Sequence, residues 1–254
     1  MAAAETRVRK RDRLKARAKR YMTVPLAVRT ADLPKRAASA VVMLTITGAA
    51  IWQGGGVLRG FIALVALACF VEFLLLIRRA TKRPGARVAA ALGGAAYIGA
   101  AAWGLASFQP YHIVGVLGVV IFTDSCAYFA GRSIGGPKIA PRISPSKTWA
   151  GLAGGMAGSA LWLEAYMAFA HNAGGSVRWA DNIGLTLGEA LGWAIVGAVL
   201  AIAAQTGDFF ESWLKRKAAV KDSSRLIPGH GGVFDRVDGI LPVALIVWLF
   251  AVLG

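Results

Sequence analysis

The sequence predicts an all-α, polytopic integral membrane protein. Three observations carry that expectation. Hydrophobic residues make up 56% of the 254 residues and charged residues only 17%, with a mean hydropathy of +0.56. The apolar residues come in runs of about twenty, the length that crosses a hydrocarbon core of roughly 30 Å. The basic residues, finally, collect in alternate loops. Period-two alternation is absent, which argues against a β-barrel.

Taken in order, the apolar runs predict about seven spans, at 37–54, 57–77, 88–107, 111–131, 150–170, 184–206 and 239–254. Glycines inside these runs would weaken a helix in water. In lipid they let backbones approach, and the pairs Gly151/Gly155 and Gly154/Gly158 keep small-xxx-small spacing. Of the 29 lysines and arginines, 27 fall on one set of alternate loops and 2 on the other. The positive-inside rule then predicts a cytoplasmic N-terminus and cytoplasmic loops 78–87, 132–149 and 207–238, with the C-terminus outside. An integral membrane location is expected, with the basic loops on the cytoplasmic face.

The stretch RVRKRDRLKARAKR and a net charge of +16 raise the question of nucleic acid. Ahead of a first span, anionic headgroups are the better partner, at about 1 kcal/mol per basic residue; a solvated topology signal is the plainer alternative. No nucleic-acid partner is expected. More than thirty mostly polar residues precede the first apolar run, unlike a cleaved signal peptide. The organisation expected is a basic segment, 1–36, and a transmembrane catalytic domain, 37–254. Cys69 and Cys126 fall inside spans without metal-ligand spacing and read as small apolar residues.

Two polar loops hold the chemistry. In the loop after span six, Asp208, Glu211, Ser212 and Lys215 recur at i, i+3, i+4 and i+7, so a continuing helix carries them on one face. That helix is expected to run to about Ala219, with Pro228 and Gly229, Gly231 and Gly232 breaking the chain. Asp235 and Asp238 then head span seven. Carboxylates at both ends of one loop suit Mg²⁺, a hard ion bound by a few carboxylates plus phosphate oxygens. The Gly-His-Gly-Gly run at 229–232 gives backbone N–H groups access to an anion. The plain alternative is a solvated loop whose acids neutralise its bases. In the other loop, Asp124 inside span four costs roughly 2.5–3.5 kcal/mol on insertion scales, so it should line a polar cavity. Ser146 or Thr148 can cap helix five, with Lys147 at its positive end, an arrangement suited to phosphate. Glu72, Glu164 and Glu189 are further intramembrane acids to which spacing assigns no role.

The run from Ser212 to Asp238, SWLKRKAAVKDSSRLIPGHGGVFDRVD, resembles the signature of the phosphatidate cytidylyltransferase (CDP-diacylglycerol synthase) family over 27 residues. The stretches QTGD at 205–208, TDSCAYFAGRSIG at 123–135 and SPSKTWAG at 144–151 are similar to that family too. One departure is Ala150, where the family usually has an acid.

The resemblance implies CTP and phosphatidic acid as substrates, with CDP-diacylglycerol and pyrophosphate as products. It implies Mg²⁺ held by Asp208 and Asp235, with Asp222 and Asp238 as second candidates and a monovalent cation left open. Lys221 and Asp222 join the two aspartates as candidate catalytic residues. Ser144, Lys147, Thr148, Ser212, Lys215, Arg216, His230, Gly231, Gly232 and Arg236 form the candidate substrate-binding set, with Asp124 lining the cavity. A homodimer is left open. Two rivals differ in what they require. A CDP-alcohol phosphotransferase needs a D-G-x₂-A-R pattern, which is absent; a secondary transporter needs weak inverted repeats and a midplane site.

Overall fold

The computed structural model describes residues 33–172 and 187–253. The basic segment before residue 33 and the loop carrying Arg178 lie outside the described residues, as does the side chain of Glu189. Helices dominate: α1 Leu33–Gln53, α2 Gly55–Ala80, α3 Pro84–Ser107, α4 Pro110–Ser133, α5 Trp149–Asn172, α6 Leu187–Lys217, α7 Phe234–Val237 and α8 Ile240–Leu253. The starts of α3 and α4 follow from Pro84 and Pro110, whose fixed φ suits a first helical position and whose missing N–H costs nothing there. Arg78 and Arg79 close α2, and Lys215, Arg216 and Lys217 close α6, cations set against the negative helix end.

Among the described residues four helices are long and apolar enough to cross a membrane: Gly55–Ala80, Pro84–Ser107, Pro110–Ser133 and the Ala190–Lys217 part of α6. That is fewer than the seven spans expected. The last expected span is a 14-residue apolar helix, about 21 Å long at 1.5 Å per residue. The long helices expose Leu64, Leu67, Val71 and Leu75 on α2, Ile121 and Phe122 on α4, and Ile195 and Val199 on α6, as a lipid-facing surface requires.

The expectation of helices alone also needs correcting. Lys138–Ala140 (β1) and Ser144–Thr148 (β2) form an antiparallel hairpin, with Lys138 paired to Thr148 and Ala140 to Ser144. Two prolines in this stretch, Pro141 and Pro145, disfavour helix, and the turn closes by the Ile143 N–H donating to the Ala140 carbonyl at 3.1 Å. The five residues of β2 lead directly into α5, and Thr148 caps it: Thr148 Oγ1 accepts the Gly151 N–H at 3.0 Å.

Cys69, Phe73, Leu76, Ile98, Ala101, Val116, Val119, Leu163, Leu200 and Val243 form the core where α2–α6 and α8 meet. Both cysteines are free. The glycine seam of α5 fits tightly on α4, where a Cβ at Gly158 would stand 2.6 Å from Cys126 Cβ. α6 ends at Lys217 rather than at the prolines and glycines downstream. The Val220 N–H donates to the Lys215 carbonyl at 3.0 Å and the Ala219 N–H to that of Arg216 at 3.2 Å, a Schellman closure with Ala219 left-handed at φ 54°.

One close approach fixes the site. A Cβ at Gly207 would collide with the Asp238 carbonyl and stand 2.9 Å from Pro242 Cγ. The bare glycine therefore lets α6 touch the head of α8. Gly207→Ala is expected to destabilise the protein by about 1–3 kcal/mol, the usual cost of forcing atoms into a filled contact. Thermal unfolding in detergent reads this directly, and an unchanged melting point would show that the contact can relax.

Candidate active site

Because Gly207 brings these backbones together, Asp208 and Glu211 on α6 meet Asp238 at the head of α8. One carboxylate oxygen from each lies within 4.8 Å of the other two. Glu211 is buried, and its Oε1 has no hydrogen-bond partner among the described residues. Burial and the neighbouring negative charge of Asp208, in that order, push Asp238 up to about 7. Three crowded carboxylates and an orphaned buried oxygen form an acceptor-only set, the donor chemistry of a hard divalent cation.

Two lysines hold the outer edges of this cluster. Lys147 Nζ sits 2.5 Å from Asp208 Oδ2 and 4.9 Å from the Phe209 ring centroid. Lys215 bridges Glu211 Oε2 at 2.5 Å and Asp235 Oδ1 at 2.6 Å. Ser212 Oγ donates to Asp208 Oδ1 at 3.3 Å.

Asp235, expected as the second metal ligand, lies outside the three-carboxylate cluster. Its Oδ2 accepts from the Ser223 N–H, the Ser223 hydroxyl and the Gly232 N–H at 2.9, 2.7 and 2.8 Å. Burial would raise the pKa of this acid, but contacts with Glu211, Lys215, Gly232 and Ser223 outweigh that and hold it well below the usual carboxylate range. With both oxygens engaged, Asp235 serves as the anchor of the signature loop.

The second anchor is one of the intramembrane acids to which spacing assigned no role. Glu72 is buried in the middle of the α2 surface that faces the loop. Its Oε1 accepts from the Ser224 hydroxyl at 2.6 Å and the Val233 N–H at 3.1 Å. Its Oε2 accepts from the Ser223 hydroxyl at 2.9 Å and the Phe234 N–H at 2.8 Å. The two amides belong to the start of α7, so an acid from a distant helix does the work of a cap. This also explains Gly232: a Cβ there would collide with Ser223 Oγ and come within 2.7 Å of Glu72 Cδ. Gly231 needs to be glycine for its backbone, at φ 84°.

A cavity of about 400 Å³ opens beside Asp208, lined by Asp124, Arg132, Lys138, Ser146, Lys147, Thr148 and Gln205 among others. It collects Asp124, Lys147, Thr148 and Asp208 of the expected set. Arg132, Lys138 and Gln205 are additions; each sits in a stretch already marked as polar, but only the packing of α4, the hairpin and α6 brings them to one space. Ser144 is buried in β2, and exposed Arg216 donates Nε to the Ile143 carbonyl at 3.3 Å, tying α6 to the hairpin. Lys221 and Asp222 line a different cavity. His230 faces α1, its Nδ1 2.7 Å from Ser39 Oγ. Arg236 donates Nη2 to the His230 carbonyl at 2.7 Å. In this state the expected phosphate contacts of His230 and Arg236 are thus taken by loop-shaping bonds.

The sequence model of the Cytidylyltransferase family matches residues 87–253. The chain belongs to this family. The match takes in the hairpin, the α6 carboxylates and the whole signature loop, and it begins after Glu72. Curated relatives are named phosphatidate cytidylyltransferase: one from Brucella suis is 44% identical over 140 residues, covering 54% of this chain and 46% of the relative. One from Pseudomonas aeruginosa is 40% identical over 141 residues, 54% and 47% of the two chains, and one from Haemophilus influenzae 38% identical over 136 residues, 52% and 44%. The chain spans about half the length of the curated relatives it matches. In this family member the cavity, the carboxylate cluster and the loop anchors form one connected polar region on helices otherwise apolar.

Proposed function

We propose that the protein transfers the cytidylyl group of CTP to phosphatidic acid, giving CDP-diacylglycerol and pyrophosphate. The observation that carries this reading is a cavity in which Arg132, Lys138 and Lys147 stand beside Asp124 and Asp208, with Asp208 shared by the three-carboxylate cluster. Cations and a cation-seeking acid cluster at one opening are what a metal-bound triphosphate requires. Family membership and the names of the relatives support the same choice.

In the proposed reaction a phosphatidate oxygen forms a bond to the α-phosphorus of CTP while the bond from that phosphorus to its bridging oxygen breaks. The electron pair leaves with pyrophosphate. The attacking phosphate is already ionised near neutral pH, so no general base is needed, and alignment with charge neutralisation is the main task. Asp208, Glu211 and Asp238 would hold Mg²⁺, which when bound neutralises phosphate charge and favours the leaving group. Lys147 can exchange Asp208 for a phosphate oxygen, and Arg132 and Lys138 extend that positive wall. Lys215 pairs with both Glu211 and Asp235 and offsets the repulsion between them.

The finer topology is part of the same proposal: seven spans, with the N-terminus and the polar loops in the cytoplasm of a bacterial cell. The four long apolar helices support a membrane location. The deciding assay supplies labelled CTP, phosphatidic acid and Mg²⁺ to the purified protein and scores lipid-linked cytidine and released pyrophosphate. Lipid-linked label that requires all three reactants is expected; its absence with properly folded protein overturns the proposal.

A further inference from the structure

A second cavity of about 490 Å³ lies between the end of α2 and the chain after α6. Arg79, Lys221 and Arg225 line it with a single acid, Asp222, and with Leu75 and Val220. None of the three cations forms an ion pair with a carboxylate among the described residues. That contrasts with Lys147 and Lys215, both of which do. The cavity therefore holds a net positive charge, three cations against the one carboxylate of Asp222.

Its position selects the counterion. Arg79 sits in the last turn of α2, one of the four helices long and apolar enough to span a membrane. Leu75, one turn earlier on the same face, is 41% exposed and continues the exposed apolar row of Leu64, Leu67 and Val71. A cationic opening directly above an apolar helix face matches an amphipathic anion, with its charge in the cavity and its chains along the helix. We propose that this cavity seats the phosphate headgroup of a membrane lipid. The shared chemistry is a lipid phosphate ester. Two sources carry it: the acceptor lipid of the proposed reaction, or a non-reacting anionic lipid that stabilises the loop. In either case the headgroup lies against the residues that flank Ser223, whose hydroxyl joins Glu72 to Asp235. The inference needs only that α2 faces lipid, and not the reaction proposed above.

Binding measured without CTP and without turnover tests it. Dioctanoyl-phosphatidate, dioctanoyl-phosphatidylglycerol and inorganic phosphate are titrated calorimetrically into the purified full chain in neutral detergent. The proteins compared are wild type, the double variant Arg79→Ala/Arg225→Ala, and the charge-keeping double variant Arg79→Lys/Arg225→Lys. Loss of two cations near a headgroup is expected to weaken lipid binding about tenfold or more, with the lysine variant close to wild type. Weakening confined to phosphatidate, with inorganic phosphate competing, assigns the seat to a phosphomonoester lipid. Equal weakening of both lipids assigns it to anionic lipid in general. Lipid binding unchanged in the alanine variant overturns the proposal. So does loss of binding in both variants with an unaltered melting point, because the charges would then not be what binds.

Discussion

Asp208→Asn, Glu211→Gln and Asp238→Asn are each expected to lower cytidylyl transfer at least about 10²-fold, the scale of losing one strong electrostatic contributor at a reacting centre. Each should also raise the Mg²⁺ concentration needed for half-maximal rate, since each removes one oxygen donor from a set that lies within 4.8 Å. Asp235→Asn separates two views of the site. It should depress the rate by loosening Lys215 and the loop while leaving the Mg²⁺ titration in place. A titration that moves with Asp235→Asn and not with Glu211→Gln would restore Asp208 and Asp235 as the ligand pair. The pH dependence follows from Asp238, pushed up to about 7. Below that value the metal-free protein holds a proton there, so a cation must displace it. Mg²⁺ affinity should therefore fall as pH drops through about 7, with proton release on binding; calorimetry in buffers of different ionisation enthalpy counts that proton.

The second large effect belongs to Glu72, which touches no residue lining the cavity beside Asp208 yet holds the loop that completes the site. Glu72→Ala would orphan the Val233 and Phe234 amides and the Ser224 hydroxyl, and would leave the Ser223 hydroxyl to Asp235 alone. Each buried donor left without a partner costs about 1–3 kcal/mol, so the loop is expected to come off α2 and turnover to fall by about 10² or more. Hydrogen exchange should accelerate at Val233 and Phe234, a change that a general loss of stability would not confine there. Glu72→Gln keeps the volume and one acceptor oxygen and should recover part of the activity. Glu72→Asp, one methylene shorter, should recover less. Normal exchange and normal turnover in Glu72→Ala would mean that the loop is held by Asp235 and α1 alone.

These two predictions divide along the line between what was legible in the sequence and what was not. The membrane class, the helix runs, the cap at Thr148 or Ser146 and the face shared by Asp208, Glu211, Ser212 and Lys215 all depend on local periodicity and local hydrogen bonding. Such features survive reading along one dimension. The hairpin at 138–148 was missed because its short strands carry no apolar alternation and owe their form to two prolines and a turn. Glu211 was visible on the right face, but nothing local says that this face meets Asp238. Asp235 reads as a candidate ligand because nothing local shows its donors: Lys215, Ser223 and Gly232 are drawn to it only when the loop folds back on itself.

By itself, then, the sequence determined that the chain folds as helices in a bilayer and carries its basic charge at three loops and a basic arm. It also marked the signature from Ser212 to Asp238 as the chemical part, because hydrophobic run length and charge placement are set residue by residue. Which carboxylates converge was decided only by tertiary structure. The reason is close approach: Gly207 lets α6 press against the Asp238 carbonyl, and Gly232 leaves room for Glu72 and Ser223. A glycine in a sequence says only that a side chain is missing. What occupies the vacated space, here a carbonyl and a carboxylate from distant segments, depends on how the helices come together.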